Sequence, residues 1–251
     1  MREKYFPLIE SREAAGKVNF VIVCEHASNA IPSAFADLGL DAAVLRSHIA
    51  WDPGALGVAL ALRRLFSADL VAGSVSRLLY DCNRPPDAPS AMPARSEIFD
   101  IPGNQGLSEA ARAARTSDIY DPFRAALAAI LDERQDGIMV TVHSFTPVYF
   151  GVKRTCEVGI LHDQDTRLAD AMLMSAPRDF PYRLERNVPY SASDGVTHTL
   201  REHAIKRGWP NVMLEIRNDL IETPEQQSVM AGHLAELLSS ALPHLKEQGH
   251  V

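Results

Sequence analysis

The sequence predicts an α/β domain whose sheet is mostly parallel and covered on both faces by helices. Three observations predict it. Short β-branched apolar runs alternate with segments of helical apolar spacing. The runs are apolar throughout rather than every second residue, as in strands buried on both faces. With 251 residues, 46% hydrophobic and 23% charged, the chain has enough apolar material for one sizeable core. One domain is expected over 1–251, with its core at 17–221.

"VNFVIVCE" (18–25) reads as the first buried strand, ending in polar residues. "DPGALGVALALRRLFSA" (52–68) has helical spacing, with Asp52 as N-cap and Pro53 at the first helical position. A strand over 69–81 is interrupted at Gly73, and 84–106, rich in Pro, Asp and Ser, is a long loop of the kind that serves active sites. An Ala-rich helical stretch, 107–135, breaks near Asp121-Pro122. Strands follow at 137–145, 156–163 and 211–216, with helices at 165–175, 195–207 and 224–243.

The net charge of −7 and the lack of any Lys/Arg run exclude a general nucleic-acid or acidic-membrane partner. The first 20 residues have no continuous apolar core of a secretory signal, and no apolar run reaches the roughly 18 residues of a membrane span. Cys24, Cys82 and Cys156 form no CxxC or Cys/His cluster, which fits a reducing, cytoplasmic setting.

Ligands of open α/β sheets bind beyond the carboxyl ends of the strands. Listing what stands there gives Glu25 and His26, then Asp81, Asn83 and Arg84, then His143 and Ser144, then Glu215 and Arg217. Gathering so many ionisable groups is costly without a metal, a substrate or mutual pairing. Two neutral imidazoles and a carboxylate make a catalytic zinc set. A separate Glu can then move the proton of an attacking water, and an Arg can hold a substrate carboxylate. Arg77 is placed either against a buried carboxylate or on substrate, and His48 and His162 are read as solvent-facing or structural.

"CEHASNAIP", "AWDPGA", "VSRLLYDCNRP", "VTVHSF", "SDGVTH" and "VMLEIRNDL", in that order, resemble the N-formylglutamate amidohydrolase family. "SRLLYDCNRP" and "VHS" are the most specific. That family is distantly similar to zinc carboxypeptidases and aspartoacylases. The resemblance implies a zinc-exopeptidase-like three-layer α/β sandwich with a mixed, mostly parallel sheet. It implies Zn²⁺ or another divalent metal on His26 and His143, with Glu215 as general base and acid. Asn83 and Arg84 become a clamp for the carboxylate of a small N-acyl amino acid such as N-formyl-L-glutamate. Ser144, His198 and Arg217 join them as substrate-binding candidates.

The carboxypeptidase pattern H-x-x-E is absent, because Asn29 stands three past His26. The carboxylate then comes from elsewhere, and the resemblance points to Asp52 in "AWDPGA", a position where that family also tends to carry Asp, with Glu25 as the alternative. Two other classes remain in view. One is a nucleophilic amidase using Cys24 or Ser144, although neither lies in a G-x-S-x-G elbow. The other is a small-carboxylate binding protein that has kept the clamp and lost the metal.

Overall fold

A computed structural model describes residues 3–12 and 18–247. The first residue of the expected 17–221 core and both chain ends lie outside the described residues. The central sheet has seven strands: β1 (Leu8–Glu10), β2 (Phe20–Cys24), β3 (Asp69–Ala72), β6 (Ile138–Phe145), β9 (Val158–Leu161), β10 (Leu184–Arg186) and β11 (Asn211–Arg217). Two small hairpins, β4 (Arg95–Ser96) with β5 (Phe99–Asp100) and β7 (Val148–Tyr149) with β8 (Val152–Lys153), stand apart from it. The order is β1-β3-β2-β6-β11-β9-β10, antiparallel only at β1/β3 and β11/β9. This is the mixed, mostly parallel sheet expected.

β2, β3, β6 and β9 are buried along their whole length, which is why their sequences are apolar runs without alternation. Successive residues nevertheless serve opposite faces. Ile22, Val140 and Leu214 join the core under α2 (Ala55–Phe66), α5 (Arg167–Ser175) and α6 (Pro224–Glu247). Val21, Val23, Met139 and Met213 join the core under α4 (Asp121–Asp132). Helices on both faces of one sheet give the three layers.

Several expectations are corrected. Helix α2 begins at Ala55, its N-cap position is Gly54 in a left-handed conformation (φ 82°), and no side chain caps it. A Cβ on Gly54 would sit 2.4 Å from the Ile221 carbonyl oxygen, so only glycine fits this turn. Asp52 is thereby left uncommitted as a cap. Strand β3 ends at Ala72 rather than at 81, and Arg77 lies in the loop beyond it.

The 84–106 segment is not structureless: it holds 3₁₀ turns at Pro89–Ala91 and Pro102–Asn104 as well as the β4–β5 hairpin. The 107–135 stretch is α3 (Glu109–Arg115), a π turn at Thr116–Tyr120 and α4, so the break falls where Asp121-Pro122 placed it. The 195–207 helix is short turns, π at Leu200–Ala204 and 3₁₀ at Ile205–Arg207. Short α1 (Ala42–Leu45) precedes α2. Among the described residues no helix is long and apolar enough to cross a membrane.

Candidate active site

Strands β2, β6 and β11 are parallel neighbours, so their carboxyl ends open on one rim. Glu215 pairs in register with His143. The period of two puts His143 and Glu215 on the face that carries Val23, Met139 and Met213, and Glu25 stands in the turn just past β2. His26 follows in the turn after β2, and the Asp52 amide donates to the His26 carbonyl at 2.9 Å.

Three donor atoms converge there. His143 Nδ1 lies 2.9 Å from Asp52 Oδ2 and 3.2 Å from His26 Nδ1, and His26 Nδ1 lies 3.2 Å from the same Asp52 oxygen. All three side chains are buried. Each imidazole is steadied from behind: His26 Nε2 lies 2.7 Å from Asp81 Oδ1, and His143 Nε2 lies 3.1 Å from Glu25 Oε2. Arg77 reaches Asp52 Oδ1 at 3.2 Å and Asp81 Oδ2 at 2.9 Å. An Nε2–H held by Asp81 leaves the His26 Nδ1 lone pair aimed at the common point, while Glu25 faces His143 Nε2 at ion-pair distance without a hydrogen bond.

Burial works against ionisation of Glu25, Asp52 and Asp81, yet the facing imidazoles, joined at the two aspartates by Arg77, hold all three below their ordinary range. Burial likewise opposes charge on His26 and His143, and the surrounding carboxylates raise both. Glu215 moves the other way: burial pushes its carboxyl up to about 7, and Asp52 adds to the rise. Its Oε2 is buried without a hydrogen-bond partner among the described residues.

These groups line a cavity of about 320 Å³. His26, Asp52, His143, Ser144, Glu215, Asn83 and Arg84 all border it. The structure brings Asp52 to the two histidines, whereas Glu25 stands behind His143 instead of beside its Nδ1.

Asn83 is committed within the fold: its Nδ2 donates to the Val196 carbonyl at 2.5 Å and its Oδ1 accepts from the Thr199 amide at 3.0 Å. Arg84 is anchored by one bond to the Asn83 carbonyl at 2.9 Å and borders the cavity. His198 does not border the cavity; its Nε2 meets the Tyr120 hydroxyl at 2.7 Å in a neighbouring groove. Arg217 is also absent from the wall, because Asp219 at 2.8 Å and Glu157 at 3.5 Å hold its guanidinium where the strand ends.

A nucleophilic amidase finds no support in these positions. Cys24 is fully buried and burial pushes its thiol well above the ordinary value, while Ser144 Oγ donates to the Pro53 carbonyl at 2.8 Å.

Sequence reasoning missed part of the wall. His48 borders the cavity and pairs with Glu97 at 2.7 Å. Phe145, Tyr149 and Tyr190 form an aromatic side, and Arg154 packs over all three rings at 4.5–5.4 Å. These residues come from separate segments that share no period. The i, i+4 spacing of Arg77 and Asp81 in "SRLLYD" was the one signal available for the guanidinium's partner.

Residues 18–222 match the N-formylglutamate amidohydrolase family. No curated protein matches the chain. Among solved structures, the gene product Atu2144 from Agrobacterium tumefaciens is 53% identical, with a TM-score of 0.92 over 97% of this chain and 96% of that one. The N-formylglutamate amidohydrolase from Ralstonia eutropha JMP134 is 19% identical, with a TM-score of 0.65 over 97% and 99% of the two chains, and so shares the fold. With its motifs matched over most of its length, the chain belongs to the N-formylglutamate amidohydrolase family, a family of hydrolases that act on amides.

Proposed function

We propose that this protein is a metal-dependent hydrolase of N-formyl or N-acyl amino acids, with N-formyl-L-glutamate as the reference substrate. The convergence of His26 Nδ1, His143 Nδ1 and Asp52 Oδ2 within 3.2 Å of one another carries the reading. Two imidazole nitrogens and one carboxylate oxygen suit zinc. The charge fits as well: three ionised carboxylates, Glu25, Asp52 and Asp81, against the one Arg77 guanidinium leave two negative charges, the match for a divalent cation.

When bound by His26, Asp52 and His143, such a metal supplies Lewis acidity toward the acyl oxygen and toward a water. Glu215, with its free Oε2 and a pKa near neutrality, accepts the proton of the attacking water. As the C–N bond breaks it returns that proton to the amine nitrogen, leaving a free carboxylic acid and an amino acid. Arg84 holds the α-carboxylate of the substrate, and Asn83 ties the clamp to the 196–199 turn. A cavity of about 320 Å³ favours a small metabolite over a polymer.

The test is formate release from N-formyl-L-glutamate before and after chelation and reloading with Zn²⁺. Chelation is expected to abolish turnover and reloading to restore it, and Glu215→Gln to lower kcat by about 10²–10⁴-fold. Full turnover by the stripped protein, or by Glu215→Gln, contradicts the reading.

A further inference from the structure

The 84–106 segment brings a second guanidinium to the cavity. The β4–β5 hairpin pairs Arg95 with Asp100 and Ser96 with Phe99, and it sets Arg95, Ser96 and Glu97 on the cavity wall. It is a fixed part of that wall. Glu97 Oε1 meets His48 Nε2 at 2.7 Å. The Ala94 carbonyl accepts from the Ile101 amide at 2.9 Å and from Gln105 Nε2 at 2.8 Å. Asn104 Nδ2 donates to the Pro93 and Leu78 carbonyls, both at 2.8 Å, and buried Arg115 grips the Asn104 side-chain oxygen at 2.6 Å.

The cavity's cations differ in how far they are committed. Arg77 is shared between two buried aspartates, and His48 faces Glu97. Arg84 has no carboxylate within ion-pair distance among the described residues. Arg95 has one carboxylate partner, Asp100 at 3.2 Å, in a pair whose side chains are 61% and 66% exposed. An exposed pair of this kind is weak and easily exchanged for a ligand's carboxylate. Its Nε bond to the Glu97 carbonyl, 3.1 Å, holds the guanidinium to the hairpin without consuming its charge.

We infer that Arg95 is the specificity-determining residue that reads the side-chain carboxylate of a substrate such as N-formyl-L-glutamate, while Arg84 takes the α-carboxylate. This rests on the proposed function. Arg95 is then the residue that separates acidic from neutral substrates, and the His48–Glu97 contact keeps Glu97 from competing for it, which leaves the exposed Asp100 as the one partner to displace.

The experiment compares kcat/KM for N-formyl-L-glutamate and N-formyl-L-glutamine, nearly the same shape and one charge apart, in wild type, Arg95→Gln, Arg95→Lys and Arg84→Gln. Wild type is expected to favour the glutamate substrate. Arg95→Gln lowers that preference by about 10- to 100-fold, mostly through KM, and Arg95→Lys keeps part of it. Arg84→Gln lowers both substrates together and leaves their ratio in place. A ratio unchanged in Arg95→Gln overturns the role of Arg95 while the amide hydrolysis stands. Wild type that cleaves neither substrate overturns both, and melting curves of the Arg95 variants confirm that the exposed substitutions leave the fold intact.

Discussion

Arg77 divides its guanidinium between Asp52 and Asp81, so one side chain steadies both the third donor and the carboxylate behind His26. Partners of this kind set metal affinity. Arg77→Met is expected to weaken Zn²⁺ binding by about 10- to 100-fold in competition with a chromophoric chelator, a readout independent of turnover. Arg77→Lys recovers only part of it, because an ammonium is a single point charge and cannot span both carboxylates. Wild-type affinity in Arg77→Met contradicts the bridge. His26 and His143 were legible because they stand at the ends of apolar runs, whereas Asp52 was found through the family resemblance of "AWDPGA", its place before a helix having suggested only a cap. A buried carboxylate partner for Arg77 stood in the sequence as one of two readings, but its span across both aspartates did not, since the loop from 73 to 83 has no period from which its path can be read.

At the scale of elements, Gly73 explains why β3 stops. A Cβ there would lie 2.1 Å from the Glu25 carbonyl oxygen, and the Gly73 amide donates to the Cys24 carbonyl at 2.9 Å. The two chains leave the sheet in contact, and the contact sets the Glu25–His26 turn. Gly73→Ala is therefore expected to cost about 1–3 kcal/mol in denaturant unfolding and to weaken metal binding with it, since a backbone atom cannot give way as a side-chain end does. Unchanged midpoint and affinity together would count against this account. The interruption at Gly73 was visible in the sequence, as were the central strands, whose continuous apolar runs have one explanation in a sheet buried on both faces. The three-residue edge strands β1 and β10 were missed because they are too short to show a pattern and exist through pairing with β3 and β9. The cap assigned to Asp52 failed for a local reason: Gly54 takes the left-handed turn and frees the carboxylate for the rim.

For the whole molecule, the site has a cost in stability that depends on pH. In the folded protein Glu215 ionises at about 7, against an ordinary value of 4.5. Between these values the folded state holds a proton that the unfolded chain has released, so stability falls as pH rises through the window and the penalty is complete above it. Glu215→Gln removes the penalty, on the order of 3 kcal/mol. In chelator-treated protein the variant should melt higher than wild type at pH 8 and alongside it at pH 4; identical melting at both pH values would contradict the assigned shift. The register of β6 and β11 carries a different consequence. His143 and Glu215 sit side by side on adjacent strands, at a spacing of about 4.8 Å that the backbone ladder sets. The β4–β5 and β7–β8 hairpins, by contrast, stand outside the central sheet. Under the proposed reading, a lineage can change its hairpins, and with them its acyl amino acid, while the ligand His143 and the proton carrier Glu215 stay locked in register.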